Sequence, residues 1–171
     1  SIVVGSTAQR KAALNKDADI YCINKENVTS LIKLCSEKKY WPFQAIIIDE
    51  ASCVKNHNTK IFRSLKKIVK RTDFIVELTG SPAPNGLMDV WSQIFLLDTG
   101  DALGKTITNY RNMYFDQDFW GHSWTLKPGK DKPIYKKIDD LVLSIRDDAY
   151  VELPDRIDII ERIVLPEKVQ K

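Results

Sequence analysis

Asp49 and Glu50 follow Ile46-Ile47-Ile48 directly and lead into Ala51-Ser52. Two neighbouring carboxylates at the end of an apolar run suit nucleotide chemistry. One can orient Mg²⁺, directly or through water, while the other accepts a proton from an attacking water. The plainer alternative is the polar end of a buried strand, with one acid serving as a helix cap. Thr79-Gly80-Ser81 closes the next apolar run in the same way. Small hydroxyls at that point can hydrogen-bond the acid pair and exchange partners, or simply form a capped turn before a helix. Cys22, Cys35 and Cys53 are odd in number and show no CxxC, which fits reduced thiols. His57 follows Cys53 at a spacing that shares a helix face, but a zinc site needs about four ligands.

The elements that must position these groups follow from hydrophobic pattern. Ile2-Val3-Val4 is a short strand closed by Gly5, with Ser6 or Thr7 able to cap a helix from Gln9 to Leu14. Asp19–Ile23 is a second strand, ending in Asn24-Lys25-Glu26-Asn27. Val28, Leu31, Ile32 and Cys35 recur at helical spacing. The run Ala45–Ile48 reads as a strand buried on both faces, as in a parallel sheet. Ile61, Leu65, Ile68 and Val69 mark a helix, Asp73–Leu78 a strand, and Leu87, Val90, Trp91, Ile94 and Phe95 another helix.

This alternation predicts an α/β fold: three layers, α-β-α, around a mostly parallel sheet with right-handed crossovers. Strand ends then share one edge, where ligands bind in such sheets. Asn24, Asp49-Glu50 and Thr79-Gly80-Ser81 should gather there. Beyond Leu97 the pattern changes. Residues 106–115 look helical, 116–133 suit an ordered loop or a short β excursion, and Ile138, Leu141, Val142 and Ile145 predict one more helix. Arg156–Leu165 alternates enough for a strand between two prolines. We therefore divide the chain into a partial α/β lobe, 1–100, and a helical extension, 101–171.

Gly100-Asp101-Ala102-Leu103-Gly104-Lys105-Thr106 comes close to a phosphate-binding loop. Only three residues separate its glycines where four are required, and the preceding segment is helical.

At 171 residues with 43% apolar and 29% charged residues, the chain can bury a core. Its net charge of +3 permits a nucleic-acid partner without demanding one. No apolar run has the length of a membrane span, and the start shows no signal-peptide pattern, which predicts a cytoplasmic protein. The lysines of 66–71 and 127–137 read as solvated faces.

Ile46–Ser52, then Val54-Lys55-Asn56, then Leu78-Thr79-Gly80-Ser81-Pro82-Ala83-Pro84-Asn85 resemble motifs II and III of superfamily-two helicases. The likeness is greatest to the Swi/Snf-like branch, in particular its bacterial and phage members. Ile23–Asn27 sits where motif Ib would be, and the segment from Asp98 to Phe115 is similar to the one leaving the first motor lobe. Each motif alone is weak; the pair at this spacing is specific.

The resemblance implies a RecA-like lobe. It implies that Asp49 holds Mg²⁺, that Glu50 activates the water attacking the γ-phosphate of ATP, and that Thr79, Gly80 and Ser81 couple the phosphate site to the nucleic-acid face. Asn24, Lys25, Lys55 and Asn56 become candidates for contact with DNA, with the double-stranded form favoured; polar loop and helix-capping roles stay open for all four. Ser52 stands where the family usually has His or Asp, which puts only the subfamily in doubt. No phosphate loop precedes Asp49 in these residues, and no second lobe with its arginine finger follows. The chain then corresponds to the latter part of a first lobe and the start of its connection to a second, in a bacterium or a phage-infected cell. The remaining motor segments would be its partners, and alone it should hydrolyse ATP negligibly. A DNA- or protein-binding adaptor derived from such a lobe, and a Mg²⁺-dependent phosphohydrolase without a phosphate loop, are the alternatives.

Overall fold

A computed structural model describes residues 1–37, 40–83 and 86–145. Strand and helix alternate from the start: β1 (Ile2–Val3), α1 (Thr7–Leu14), β2 (Cys22–Ile23), α2 (Lys25–Glu37) and β3 (Ala45–Ile48). A 3-10 turn (Ala51–Val54), α3 (Lys60–Leu65), β4 (Phe74–Glu77) and α4 (Val90–Asp98) complete this part. β1 pairs with β2 and β3 with β4, both in parallel, as strands joined through helices must. The α/β class is therefore as expected. Among the described residues these four strands form two separate parallel pairs rather than one continuous ladder.

Local chemistry explains the boundaries. The Ser6 hydroxyl accepts from the Gln9 N–H at 3.3 Å, and the Ser6 N–H donates to Gln9 Oε1 at 2.7 Å, a reciprocal capping box that starts α1. Thr59 caps α3 by accepting from the Phe62 N–H. The Trp41 indole N–H donates to Thr72 Oγ1 at 3.1 Å, tying the approach to β3 to the approach to β4.

β3 departs from the expectation in one respect. Ile46, Ile48 and Ile75 pack against the core, but Ile47 is 69% exposed and Phe74 70% exposed. Val76 and Leu78 are exposed as well. Side chains alternate across a strand, so one face of the β3–β4 pair meets the helices while no described residue covers the other. The apolar run carries the pattern of two-sided burial; the second covering layer is what the described residues lack.

The later residues join the same core. α5 (Ile107–Tyr114) leads into an antiparallel hairpin, β5 (Phe115–Gln117) with β6 (Trp124–Leu126), and then α6 (Asp131–Ile138). Leu103, Tyr110, Tyr114, Phe115 and Ile134 pack in one cluster with Phe62, Trp91, Phe95 and Leu96. Tyr110 is fully buried, and its hydroxyl donates to the Leu87 carbonyl at 2.7 Å, so burial leaves no polar atom stranded there.

The β excursion within 116–133 is real, but the helix read over 138–145 is not. α6 stops at Ile138, a short 3-10 turn spans Asp139–Leu141, and Leu141, Val142, Leu143 and Ile145 are exposed. Helical spacing of apolar residues holds a helix only where a surface receives them, and none of the described residues does. The strand expected over 156–165 lies outside the described residues. No helix among those residues is long and apolar enough to cross a membrane.

Candidate functional site

The parallel register sets Ile48 opposite Glu77, and two further backbone bonds carry the pairing past the strand ends. The Leu78 N–H donates to the Ile48 carbonyl at 2.9 Å, and the Ala51 N–H donates to the Leu78 carbonyl at 2.9 Å. Asp49 and Glu50 lie between these two bonds. The acid pair is thus fastened to the residue immediately before Thr79-Gly80-Ser81. Beyond the acids the chain turns sharply: Glu50 is in the left-handed region, φ 52° and ψ 56°. That conformation costs an L-residue about 1–2 kcal/mol, and strained non-glycine residues cluster at functional sites. It is held because Ala51 and Val54, on the following turn, are completely buried. Asp49 Oδ1 accepts from the Glu50 N–H at 3.0 Å, and both carboxylates face solvent.

In the bend after β4, Thr79 Oγ1 accepts from the Ser81 N–H at 3.2 Å, so this hydroxyl organises its own turn. A Cβ built on Gly80 would meet nothing within 4 Å. Pro84 and Asn85, which complete the motif, lie outside the described residues.

The other candidate residues are placed less directly. Asn24 is exposed, and its carbonyl accepts from the Asn27 N–H at the start of α2. Lys25, also exposed, reaches the vicinity of the 3-10 turn. Burial raises the pKa of the Cys53 thiol there, and the Lys25 charge opposes the rise. Lys55 Nζ lies 3.8 Å from Asp89 Oδ2, while the Ser92 hydroxyl donates to the Lys55 carbonyl. Asn56 Oδ1 accepts from the Asn58 N–H at 2.8 Å. The Asn56 carbonyl receives the Thr59 hydroxyl and N–H, so Asn56 stabilises the turn into α3.

Two features here escaped the sequence. Glu77, at the end of β4, points to the covered side, where burial raises its pKa to about 8 and Oε1 has no hydrogen-bond partner. A polar cavity of about 270 Å³ also opens between the 55–58 loop, the start of α4 and α5, with Lys55, His57, Asp89 and Arg111 on its walls.

A family model described as the SNF2-related domain matches residues 2–138. The chain belongs to the SNF2-related domain family. It is 30% identical over 98% of its length to "Putative protein p41" of Acyrthosiphon pisum secondary endosymbiont phage 1, and covers 38% of that protein. It is 28% identical over 79% of its length to an "Uncharacterized ATP-dependent helicase" of Mycoplasma pneumoniae, and covers 13% of it. Among solved structures, the Sulfolobus solfataricus SWI2/SNF2 ATPase core in complex with dsDNA matches with a TM-score of 0.60 and 22% identity, over 84% of this chain and 27% of that one. That likeness concerns the fold. Together these matches place the chain in the Swi/Snf-like branch of superfamily-two helicases, as its motifs implied.

The stretch that imitates a phosphate loop is held by bonds of its own. The Asp98 carboxylate accepts from the N–H groups of Gly100 at 2.7 Å and Ala102 at 2.6 Å. The Gly104 carbonyl receives the Trp91 indole N–H at 3.0 Å. The Gly100 and Ala102 amides are thus engaged by Asp98, and the loop closes α4.

Proposed function

We propose that this SNF2-related chain is the part of an ATP-dependent nucleic-acid motor that carries the hydrolytic carboxylates and their coupling bend. The observation that supports the reading best is the Ala51–Leu78 backbone bond, which joins the acid turn to the Thr79-Gly80-Ser81 bend. A displacement of either is felt by the other without an intermediary.

In this reading Glu50 takes the proton of the attacking water and Asp49 holds Mg²⁺. An exposed carboxylate with one oxygen engaged fits that ion, which keeps several waters and shares its remaining positions with nucleotide phosphates. The ion would neutralise charge on the phosphate oxygens of ATP. Thr79, Gly80 and Ser81 transmit the state of that site. Asn24, Lys25, Lys55 and Asn56 form the side turned to DNA, double-stranded in the favoured case. The phosphate loop and the second lobe come from segments beyond these residues. The bare apolar face of β3–β4 is the surface such segments would cover, since an exposed patch of this kind marks an interaction site. Residues 1–100 then act as the lobe and 101–171 as the extension towards its partner lobe.

Turnover by the 171-residue chain alone should be negligible, and addition of the complementary segments should produce Mg²⁺-dependent ATP hydrolysis that Glu50→Gln abolishes. Robust hydrolysis by the pure chain, lost in Glu50→Gln, would overturn the division of labour. The bare β3–β4 face also suits a non-enzymatic adaptor; DNA or protein binding indifferent to Asp49→Ala, with no ATPase on reconstitution, would favour that second reading.

A further inference from the structure

We infer that the polar cavity between the 55–58 loop, the start of α4 and α5 is a subsite for a phosphate group, built by Lys55, His57, Asn58 and Arg111. Its volume of about 270 Å³ holds several waters, or one phosphate group with part of its hydration shell. Its walls come from three separate parts of the chain, so the site exists only in the folded protein.

The charge is arranged for an anion. Arg111 lies with its guanidinium over the Trp124 ring at 5.3 Å, and its Nε is sealed from solvent without a hydrogen-bond partner. A guanidinium held by stacking, with its Nε lacking an acceptor, gains from an oxyanion, whose geometry matches its fork of donors. Lys55 is the second cation. Among the described residues Asp89 is the one acid on the walls, 3.8 Å from Lys55, and two cations outweigh it. Burial first, then the charge of Arg111 and that of Lys66 outside the walls, lower the His57 pKa. A neutral imidazole still offers one N–H to a ligand oxygen.

Two walls of the cavity come from chain that follows the strand edge: Lys55–Asn58 leave the turn after β3, and Met88–Asp89 follow the bend after β4. A phosphate reaches that edge from two sources: a phosphodiester of duplex DNA, or free phosphate. The choice of DNA rests on the motor reading above; the anion site itself does not.

The test uses the 171-residue chain and two probes. One is a short random-sequence duplex, followed by fluorescence anisotropy across a salt series. The other is inorganic phosphate, followed by thermal shift against chloride at matched ionic strength. Arg111→Gln removes the stacked cation. Asn58→Asp adds a carboxylate at the exposed mouth without touching the core, so it remains informative if Arg111→Gln fails to fold. Lys67→Gln, on an exposed position after α3, is the charge control.

Both site variants should weaken duplex binding about five-fold or more and reduce the salt slope by about one, with the control within about two-fold of wild type. Phosphate should raise the melting temperature of wild type and not of the variants. A phosphate effect that both variants abolish, with duplex binding absent or unchanged, leaves the anion site standing and counts against its use by DNA. Folded variants that match wild type with both probes would overturn the inference.

Discussion

Glu77 is a carboxyl among apolar neighbours, and its protonation gives a direct test of how β4 is packed. Burial moves its pKa from an ordinary 4.5 to about 8, with no basic group opposing the shift and no donor for Oε1. The folded chain therefore keeps a proton that the unfolded chain releases. Because the folded value is the higher one, the associated stability is full below about pH 4.5, declines as pH rises, and is gone once pH passes about 8. Each pH unit between the two values is worth about 1.4 kcal/mol, giving about 5 kcal/mol at most. His57 acts in the opposite sense at lower pH. Burial and the Arg111 and Lys66 charges hold its pKa below 6.5, so its contribution is lost as pH falls through that region. Urea unfolding between pH 7 and 8.5 reads mainly Glu77, since the Cys53 thiol, also raised by burial, titrates higher. Wild type should lose about 1 kcal/mol across that window, and Glu77→Gln should stay flat and be the more stable protein at pH 8.5. If the two profiles run parallel, the carboxylate is solvated and the described face of β4 is wrong.

Glu50→Asn should stabilise the chain by about 0.5–1 kcal/mol in urea, because Asn tolerates the left-handed backbone at φ 52° better than Glu, while removing the proposed base; a loss of stability would argue against the strained turn. Gly100→Ala should cost more than about 2 kcal/mol, since its Cβ would stand 2.7 Å from the Gly104 carbonyl oxygen at a φ of +87°; a melting temperature equal to wild type refutes that loop geometry. Gly80→Ala should change unfolding by less than about 0.5 kcal/mol, because open space surrounds the added methyl, yet lower the ATPase of the reconstituted motor if a ligand or lobe closes on that bend. Phe74→Ser, at a 70% exposed position, should leave unfolding within about 0.5 kcal/mol and reduce concentration-dependent association in sedimentation; a large destabilisation would mean that the face is covered.

How much of this could be read in the sequence depended on the range of the interactions involved. The order of strands and helices is local, carried by periodicity and by caps such as Ser6 with Gln9, and it was legible. So was the adjacency of Asp49-Glu50 to Thr79, because parallel pairing of consecutive strands brings their ends to one edge. The cavity was not legible. Arg111 joins Lys55 and His57 only because Tyr110, its neighbour on α5, is anchored in the core by the Leu87 carbonyl, and no local pattern announces that contact. Glu77 was hidden for a related reason. In Phe74-Ile75-Val76-Glu77-Leu78 both alternating faces look apolar, so the pattern cannot say which side the single acid occupies.

The same ambiguity explains the β3–β4 pair. Ile46 and Ile47 are chemically alike, yet one packs against the core and the other is 69% exposed. A residue exposed in one context and suited to burial in another is what an incomplete sheet presents, because a parallel strand is built to be covered on both sides. A free-standing domain would be expected to carry polar residues at Ile47, Phe74 and Val76, since contiguous exposed apolar surface promotes association. Their apolar character therefore points to a covering layer outside the described residues. The acid turn stands at the end of that same strand pair, so whatever covers the face also approaches Asp49 and Glu50. On the proposed reading, covering the sheet and completing the nucleotide site are one structural event.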